Sequence, residues 1–308
     1  MVSTPNMAVN LGGVELKNPV TTAAGTYGFG WQFEGFYDVS CLGAITTKGC
    51  ANKPWPGNAA PRMCDVTSGV MNSVGLQNPG VRGLVNQAGE YLEKLSERGC
   101  KVICQVAGHS PEEYVEAVEL FEELAPWAAA LEINISCPNI SAGGAAIGST
   151  PEGAASVISA VRDRTKRPLL VKLAPANVVE VSRALEAAGA DALSVINSIP
   201  AMAIDVNTRR SKLSRPTGGL SGPCLHNIAV RMVWEVAQAV KLPINGVGGI
   251  MTWEDAAEFI LAGATSVSVG VANLINPDTA PKVLEGLAQW VSDQGADDIN
   301  DLIGAFEC

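Results

Sequence analysis

Histidine is almost missing from this chain. Among 308 residues there are two, His109 and His226, which leaves no material for a histidine-rich metal site. Aromatic residues make up only 5%, so a core must come from the Val, Ile, Leu and Ala that dominate the 47% hydrophobic fraction. None of the eight cysteines forms a C-x-x-C pair, which excludes a zinc ribbon and an iron–sulfur ligand run in this chain; most are expected to be reduced, small core residues. Basic side chains are outnumbered 21 to 31, giving a net charge of -10. Nucleic acid and anionic membrane surfaces both want a basic patch, so neither is an expected partner, whereas a small-molecule site stays open. No run approaches ~18 uninterrupted apolar residues. Met1 to Asn10 lack the basic start and apolar core of a leader, so a cytoplasmic protein is expected.

What the chain does have is rhythm. Short apolar runs at Val20 to Gly25, Ala44 to Gly49, Lys101 to Gly108, Ala129 to Cys137, Leu169 to Pro175, Ala192 to Ser198, Pro243 to Gly249 and Ser266 to Ala272 read as strands buried on both faces. Helical periodicity fills the gaps, at about 81–98, 111–125, 151–164, 178–188, 224–239, 253–262 and 278–292. Ser110-Pro111-Glu112-Glu113, Thr150-Pro151-Glu152 and Thr252-Trp253-Glu254-Asp255 are start signals for three of them. The alternation predicts an α/β protein, a single-domain (β/α)8 TIM barrel over 1–308 with right-handed crossovers. Three connections, Cys50 to Val81, Pro138 to Thr150 and Ile199 to Pro223, are long loop insertions at the C-terminal face, where barrel sites are built.

Several strands end in chemistry. The seventh closes in Asn245-Gly246-Val247-Gly248-Gly249 and the eighth in Val269-Gly270-Val271-Ala272. Glycines there can simply allow tight turns. In barrels, though, these two loops together frequently hold a phosphate, because bare backbone amides can approach an anion. Lys48 and Lys172 end the second and fifth strands inside apolar runs. A lysine in such a place either snorkels to the rim or is held for a reason. Asn72, Asn78, Asn134, Asn139 and Asn197-Ser198 add neutral donors and acceptors. One asparagine is commonly a turn residue. This many carboxamides at strand ends beside two lysines suit a planar ligand with amide edges and a carboxylate.

Cys137, in Asn134-Ile135-Ser136-Cys137-Pro138-Asn139, is the candidate for catalysis. A strand cysteine is ordinarily a small buried residue. This one ends its strand before a glycine-containing loop, and a thiol of pKa near ~8.5 can serve as base toward a carbon acid without a histidine. His109 and His226 are expected to be surface or loop residues rather than catalytic ones.

Ala23-Ala24-Gly25-Thr26-Tyr27-Gly28, Thr47-Lys48-Gly49, Asn72 to Gly80 (NSVGLQNPG), the Asn134 to Asn139 motif, Val171-Lys172-Leu173, Gly218 to Pro223 (GGLSGP) and Gly248-Gly249 together resemble the class 1 dihydroorotate dehydrogenase family, in its order and at similar spacing from about residue 8 to 292. Cysteine rather than serine at 137 sets the chain apart from the membrane-associated class 2 enzymes. The long insertion after the second strand and Gly-Gly-Leu-Ser-Gly-Pro resemble subtype B.

The resemblance implies oxidation of dihydroorotate to orotate on FMN, with FMN contacts at Ala24, Thr47, Lys48, Gln105, Asn134, Lys172, Ile196, Gly222, Gly248, Gly249, Gly270 and Val271. It implies substrate contacts at Lys48, Asn72, Ser73, Val74, Gly75, Leu76, Asn134, Asn139, Asn197 and Ser198, and Cys137 as base. It further implies a partner iron–sulfur flavoprotein carrying FAD and a 2Fe-2S cluster, NAD as final acceptor, and a homodimer within a heterotetramer. Ala24, Gln105, Ser198 and Val271 depart from the residues usual in the family. Two rivals remain: a dihydropyrimidine dehydrogenase-like subunit, against which Lys48 argues because uracil has no carboxylate, and a Schiff-base aldolase using Lys172. A binding barrel without catalysis would leave Cys137 and the asparagines unexplained.

Overall fold

Residues 5–136 and 147–307 are described by the computed structural model of the chain. A hairpin of β1 (Val9–Leu11) and β2 (Val14–Leu16) comes first. At its turn a Cβ on Gly12 would lie 2.4 Å from the carbonyl oxygen of Asp191, so the hairpin presses against the start of a barrel strand and covers the N-terminal end.

Eight parallel strands form the centre: β3 (Val20–Thr22), β4 (Ala44–Thr46), β7 (Lys101–Val106), β8 (Ala130–Asn134), β9 (Leu169–Lys172), β10 (Ala192–Val195), β15 (Ile244–Val247) and β16 (Ser266–Val269). Their order is β3-β16-β15-β10-β9-β8-β7-β4. The ends of the sheet meet where Gly43 N–H donates to Val20 O at 3.0 Å and Thr46 N–H donates to Thr22 Oγ1 at 3.3 Å. The expected barrel is therefore the observed one. Each strand is two or more residues shorter than its apolar run, because the C-terminal residues leave the ladder and turn into the loops that build the site.

The outer helices follow from the sequence pattern. Gly80–Glu97 buries Val81, Leu84, Ala88, Leu92 and Leu95, one stripe at helical spacing, and each buried Leu is worth roughly 2 kcal/mol. All three start signals are real caps. Ser110 accepts from Glu113 N–H, Thr150 accepts from Gly153 N–H, and Thr252 forms a capping box with Asp255. No helix among the described residues is long and apolar enough to cross a membrane.

Two of the long insertions meet above the barrel. Residues from the first, β5 (Met63–Val66) and β6 (Gly69–Asn72), and from the third, β11 (Ile199–Ala201) and β14 (Gly218–Ser221), pair as a four-stranded antiparallel sheet in the order β11-β14-β6-β5. It covers the C-terminal face. Beside it β12 (Ile204–Asp205) and β13 (Arg210–Ser211) make a small exposed hairpin.

The barrel interior departs from the branched apolar filling usual for this fold. Thr21, Gln105, Glu132, Ser194, Asn245 and Ser268 are all at most 3% exposed and bond one another across the lumen. Two sequence expectations need correcting. His226 is buried at the start of a helix, its Nε2 3.0 Å from Glu258, rather than exposed. Of the described cysteines only Cys50, Cys100 and Cys104 are fully buried, while Cys224 is exposed.

Candidate active site

A cavity of about 350 Å³ opens at the C-terminal ends of the barrel strands, under the antiparallel cover. Its volume lies in the range of small-molecule sites. One end is backbone: Gly248 (φ +147°), Gly249 (φ +71°), Gly270 and Val271 line it from the loops after β15 and β16. A Cβ at Gly270 would meet nothing closer than Ala23 Cβ at 3.5 Å, so packing does not demand glycine there, and its absence leaves backbone open to the cavity that the residue lines.

The other end is side chains. Lys48, Asn72, Gln105, Asn134, Lys172 and Asn197 line it together, with Ser198, Ile196, Ala24 and Gly222. Val74, Gly75 and Leu76 complete the wall below the cover. Asn72 sits at the end of β6 and donates to Gly219 O at 3.4 Å, so the cover sheet itself delivers a carboxamide to the cavity. Lys48 follows β4, its backbone fixed by a 2.8 Å bond from its N–H to Gly28 O. Thr47 and Ser73 are fully buried and stand behind the wall: Thr47 Oγ1 accepts Gln105 N–H at 3.3 Å, and Ser73 N–H donates to Arg62 O at 2.8 Å. Cys137 and Asn139 lie outside the described residues.

Lys172 is 6% exposed, and its ammonium makes no hydrogen bond or ion pair among the described residues. Burial pushes its pKa down from the ordinary lysine value, and the negative charge of Glu132 partly offsets that. A cation desolvated at the wall of a cavity is stabilised by whatever electron-rich group enters. This is the fit expected for the pyrimidine edge of an isoalloxazine, and the glycine end fits a phosphate.

Sequence reasoning missed what holds these groups. Asn134 Nδ2 donates to Gln105 Oε1 at 3.2 Å, and Gln105 Nε2 donates to Glu132 Oε1 at 2.7 Å. Ser136 Oγ donates to Asn134 Oδ1 at 3.0 Å and accepts from Asn197 Nδ2 at 2.8 Å. The available signal was Glu132 itself, a carboxylate inside the run Ala128 to Ile133, as anomalous there as Lys172 is in its own strand. Met63, Val70 and Leu274 also line the cavity, and no motif marks them.

Fold and site define a parallel (β/α)8 barrel whose C-terminal cavity joins an anion-suited backbone cradle to a cationic, carboxamide-lined pocket. Among known families, the dihydroorotate dehydrogenase sequence pattern matches residues 6–291, and the chain belongs to that family. It is 46% identical to the dihydroorotate dehydrogenase B (NAD(+)) catalytic subunit of Trichlorobacter lovleyi, over 98% of this chain and 99% of the relative. It is 48% identical to the subunit of that name from Lachnoclostridium phytofermentans, over 98% of this chain and 100% of the relative. In fold it is similar to the dihydroorotate dehydrogenase of Eimeria tenella solved with ferulenol, with a TM-score of 0.80 and 23% identity over 97% of this chain and 88% of that one.

Proposed function

We propose that this chain is the FMN-dependent catalytic subunit that oxidises dihydroorotate to orotate, the redox step of de novo pyrimidine (UMP) synthesis, in the cytoplasm. One observation carries the reading: a single cavity joins the glycine end to Lys48, Lys172 and the carboxamides of Asn72, Asn134 and Asn197. The near full-length likeness to catalytic subunits named for NAD(+) supports it.

When bound, FMN supplies the acceptor for the hydride that leaves C6 of dihydroorotate. Backbone at Gly248, Gly249, Gly270 and Val271 would hold its phosphate, with Ala24, Thr47, Gln105, Ile196 and Gly222 around the rest of the group. The Lys172 ammonium would offset negative charge on the flavin's pyrimidine edge, an electrostatic role strengthened by its dry surroundings. Lys48 would pair the substrate carboxylate, and Asn72, Asn134, Asn139, Asn197 and Ser198, with the wall Val74 to Leu76 and Ser73 behind it, would orient the ring's amide edges. Cys137 would take the proton from C5. Electrons would leave through a partner iron–sulfur flavoprotein with FAD and a 2Fe-2S cluster to NAD, in a heterotetramer built on a dimer of this chain.

The test is the visible spectrum of the purified chain under anaerobic conditions, before and after dihydroorotate. Bleaching of a flavin band in proportion to bound FMN is the expected result. Bleaching by dihydrouracil instead would transfer the reading to a pyrimidine reductase, and a protein that takes up no FMN would overturn it.

A further inference from the structure

The hydrogen bonds behind the cavity all run one way. Asn197 Nδ2 donates to Ser136 Oγ at 2.8 Å, with a longer contact to Ser136 O at 3.4 Å, and Ser136 Oγ donates to Asn134 Oδ1 at 3.0 Å. Asn134 Nδ2 donates to Gln105 Oε1 at 3.2 Å, and Gln105 Nε2 donates to Glu132 Oε1 at 2.7 Å. From the other side of the lumen, Asn245 Nδ2 reaches Ser194 Oγ at 3.3 Å, and Ser194 Oγ donates to Glu132 Oε2 at 2.5 Å. Both branches reach Glu132.

A carboxylate accepts and never donates, whereas a carboxamide or a hydroxyl can present either face. An acceptor-only group beside Gln105 therefore calls for its amide nitrogen there and turns its oxygen toward Asn134, while backbone donors fix the other two amides. Asn134 Oδ1 is already taken by Ser136 N–H at 3.2 Å and Ser136 Oγ, and Asn197 Oδ1 by Ser198 N–H at 2.8 Å. What Gln105 and Asn134 have left is a second N–H each, whereas Asn197 Nδ2 already faces both Ser136 Oγ and Ser136 O. We propose that Glu132 is a positioning residue that orients Gln105, so that Gln105 accepts from Asn134 and these two carboxamides offer N–H donors to the cavity, selecting a ligand whose facing edge carries carbonyl or carboxylate oxygens.

This rests on the reading of the cavity as the dihydroorotate and orotate site. It assigns Glu132 no contact with either. The position supports a role beyond packing. Glu132 is 2% exposed in the middle of a barrel strand, and it reaches Ser194 across the intervening β9, which only an inward-facing side chain can do.

The experiment compares three holoenzymes: wild type, Glu132→Gln, and the exchange Glu132→Gln with Gln105→Glu. In Glu132→Gln the side chain at 132 presents an oxygen and an N–H in place of two acceptor oxygens, so Gln105 is no longer held in one direction. In the exchange, the carboxylate at 105 can accept from Asn134 Nδ2 and from the new amide at 132, whose oxygen can accept from Ser194, so an acceptor is again held at 105 against Asn134. Orotate affinity, read from its perturbation of the bound flavin spectrum, should fall about tenfold in the single variant, the size of one misplaced buried hydrogen bond, and recover to within about threefold in the exchange. Neutron diffraction of deuterium-exchanged wild type reads the direction without any substrate: deuterons should lie on Asn134 Nδ2 toward Gln105 and on Gln105 Nε2 toward Glu132, with none on Glu132. Wild-type orotate affinity in Glu132→Gln, or a folded, FMN-loaded exchange variant no better than the single one, overturns the proposal. So does reversed deuteration. A wild type that binds no orotate yet shows the expected deuterons would sink the substrate reading and leave the positioning role standing.

Discussion

The two ends of the cavity are built by opposite means. At the glycine end the lining is backbone: Gly248, Gly249 and Gly270 present main chain to the cavity, and the identity of Val271 next door changes none of it. At the other end the lining is side chains, and each is held by the next, from Asn197 through Ser136, Asn134 and Gln105 to Glu132. Backbone cradles tolerate neighbouring side-chain changes, whereas a bonded chain of amides transmits any change along its length. The departures at Ala24 and Val271 therefore fall where they cost little. Gln105 falls inside the chain, where a carboxamide of that length is needed to join Asn134 to Glu132.

The sharpest way to separate the ends is to remove the proposed base. Cys137→Ala should load FMN like the wild type, because the role proposed for Cys137 is toward the substrate and not the cofactor, yet the rate of flavin bleaching by dihydroorotate should drop by about 10²- to 10⁴-fold. Stopped-flow reduction measures it, and a near-normal rate would remove Cys137 from the mechanism. Next in size is Lys172→Met, expected to slow reduction by about 10²-fold if the buried cation has the electrostatic role proposed for it. The sign of the pH dependence follows from burial. Because burial lowers the Lys172 pKa in the folded protein, its ammonium is disfavoured there relative to the unfolded chain; that cost is full below the folded value and fades as pH rises from it toward the ordinary lysine value. The charge an anionic ligand needs is lost over the same window. Wild-type FMN affinity, followed by fluorescence quenching, should thus decline with alkaline pH before the ordinary lysine range is reached, and Lys172→Met should lack that limb. Superimposable profiles would place the lysine outside flavin binding.

Reading these residues in advance worked unevenly, for physical reasons. Eight buried strands and seven helices follow from periodicity, since a strand covered on both faces reads as an apolar run and a surface helix as a stripe. The glycine end was legible because a glycine pair at a strand end is a local signal. The antiparallel cover was not: β6 and β14 pair across about 150 residues of chain, and Gly218-Gly219-Leu220-Ser221 has the composition of a turn rather than of a strand. Nor was the bonded chain. Strand spacing puts Asn134 and Glu132 on one face, but which amide meets which depends on neighbours brought in by β7 and β10, and no pattern within β8 encodes them.

Two glycines allow the backbone end to be tested against its own fold. A Cβ at Gly249 would sit 2.8 Å from His226 N, and that residue's φ of +71° resists any side chain, so Gly249→Ala confounds ligand binding with strain. At Gly270 an added Cβ meets only Ala23 Cβ at 3.5 Å and Thr26 Oγ1 at 3.9 Å, ordinary contacts with two residues that themselves line the cavity. Gly270→Ala should keep the melting temperature of the FMN-free protein, lose about tenfold in FMN affinity, the worth of one hydrogen bond to a charged group, and leave the reduction rate of the FMN-loaded fraction nearly unchanged. An intact affinity would mean that no phosphate approaches this backbone. A loss of rate without a loss of affinity would mean that the two ends are coupled, and that the division between a tolerant backbone cradle and an intolerant chain of amides does not hold.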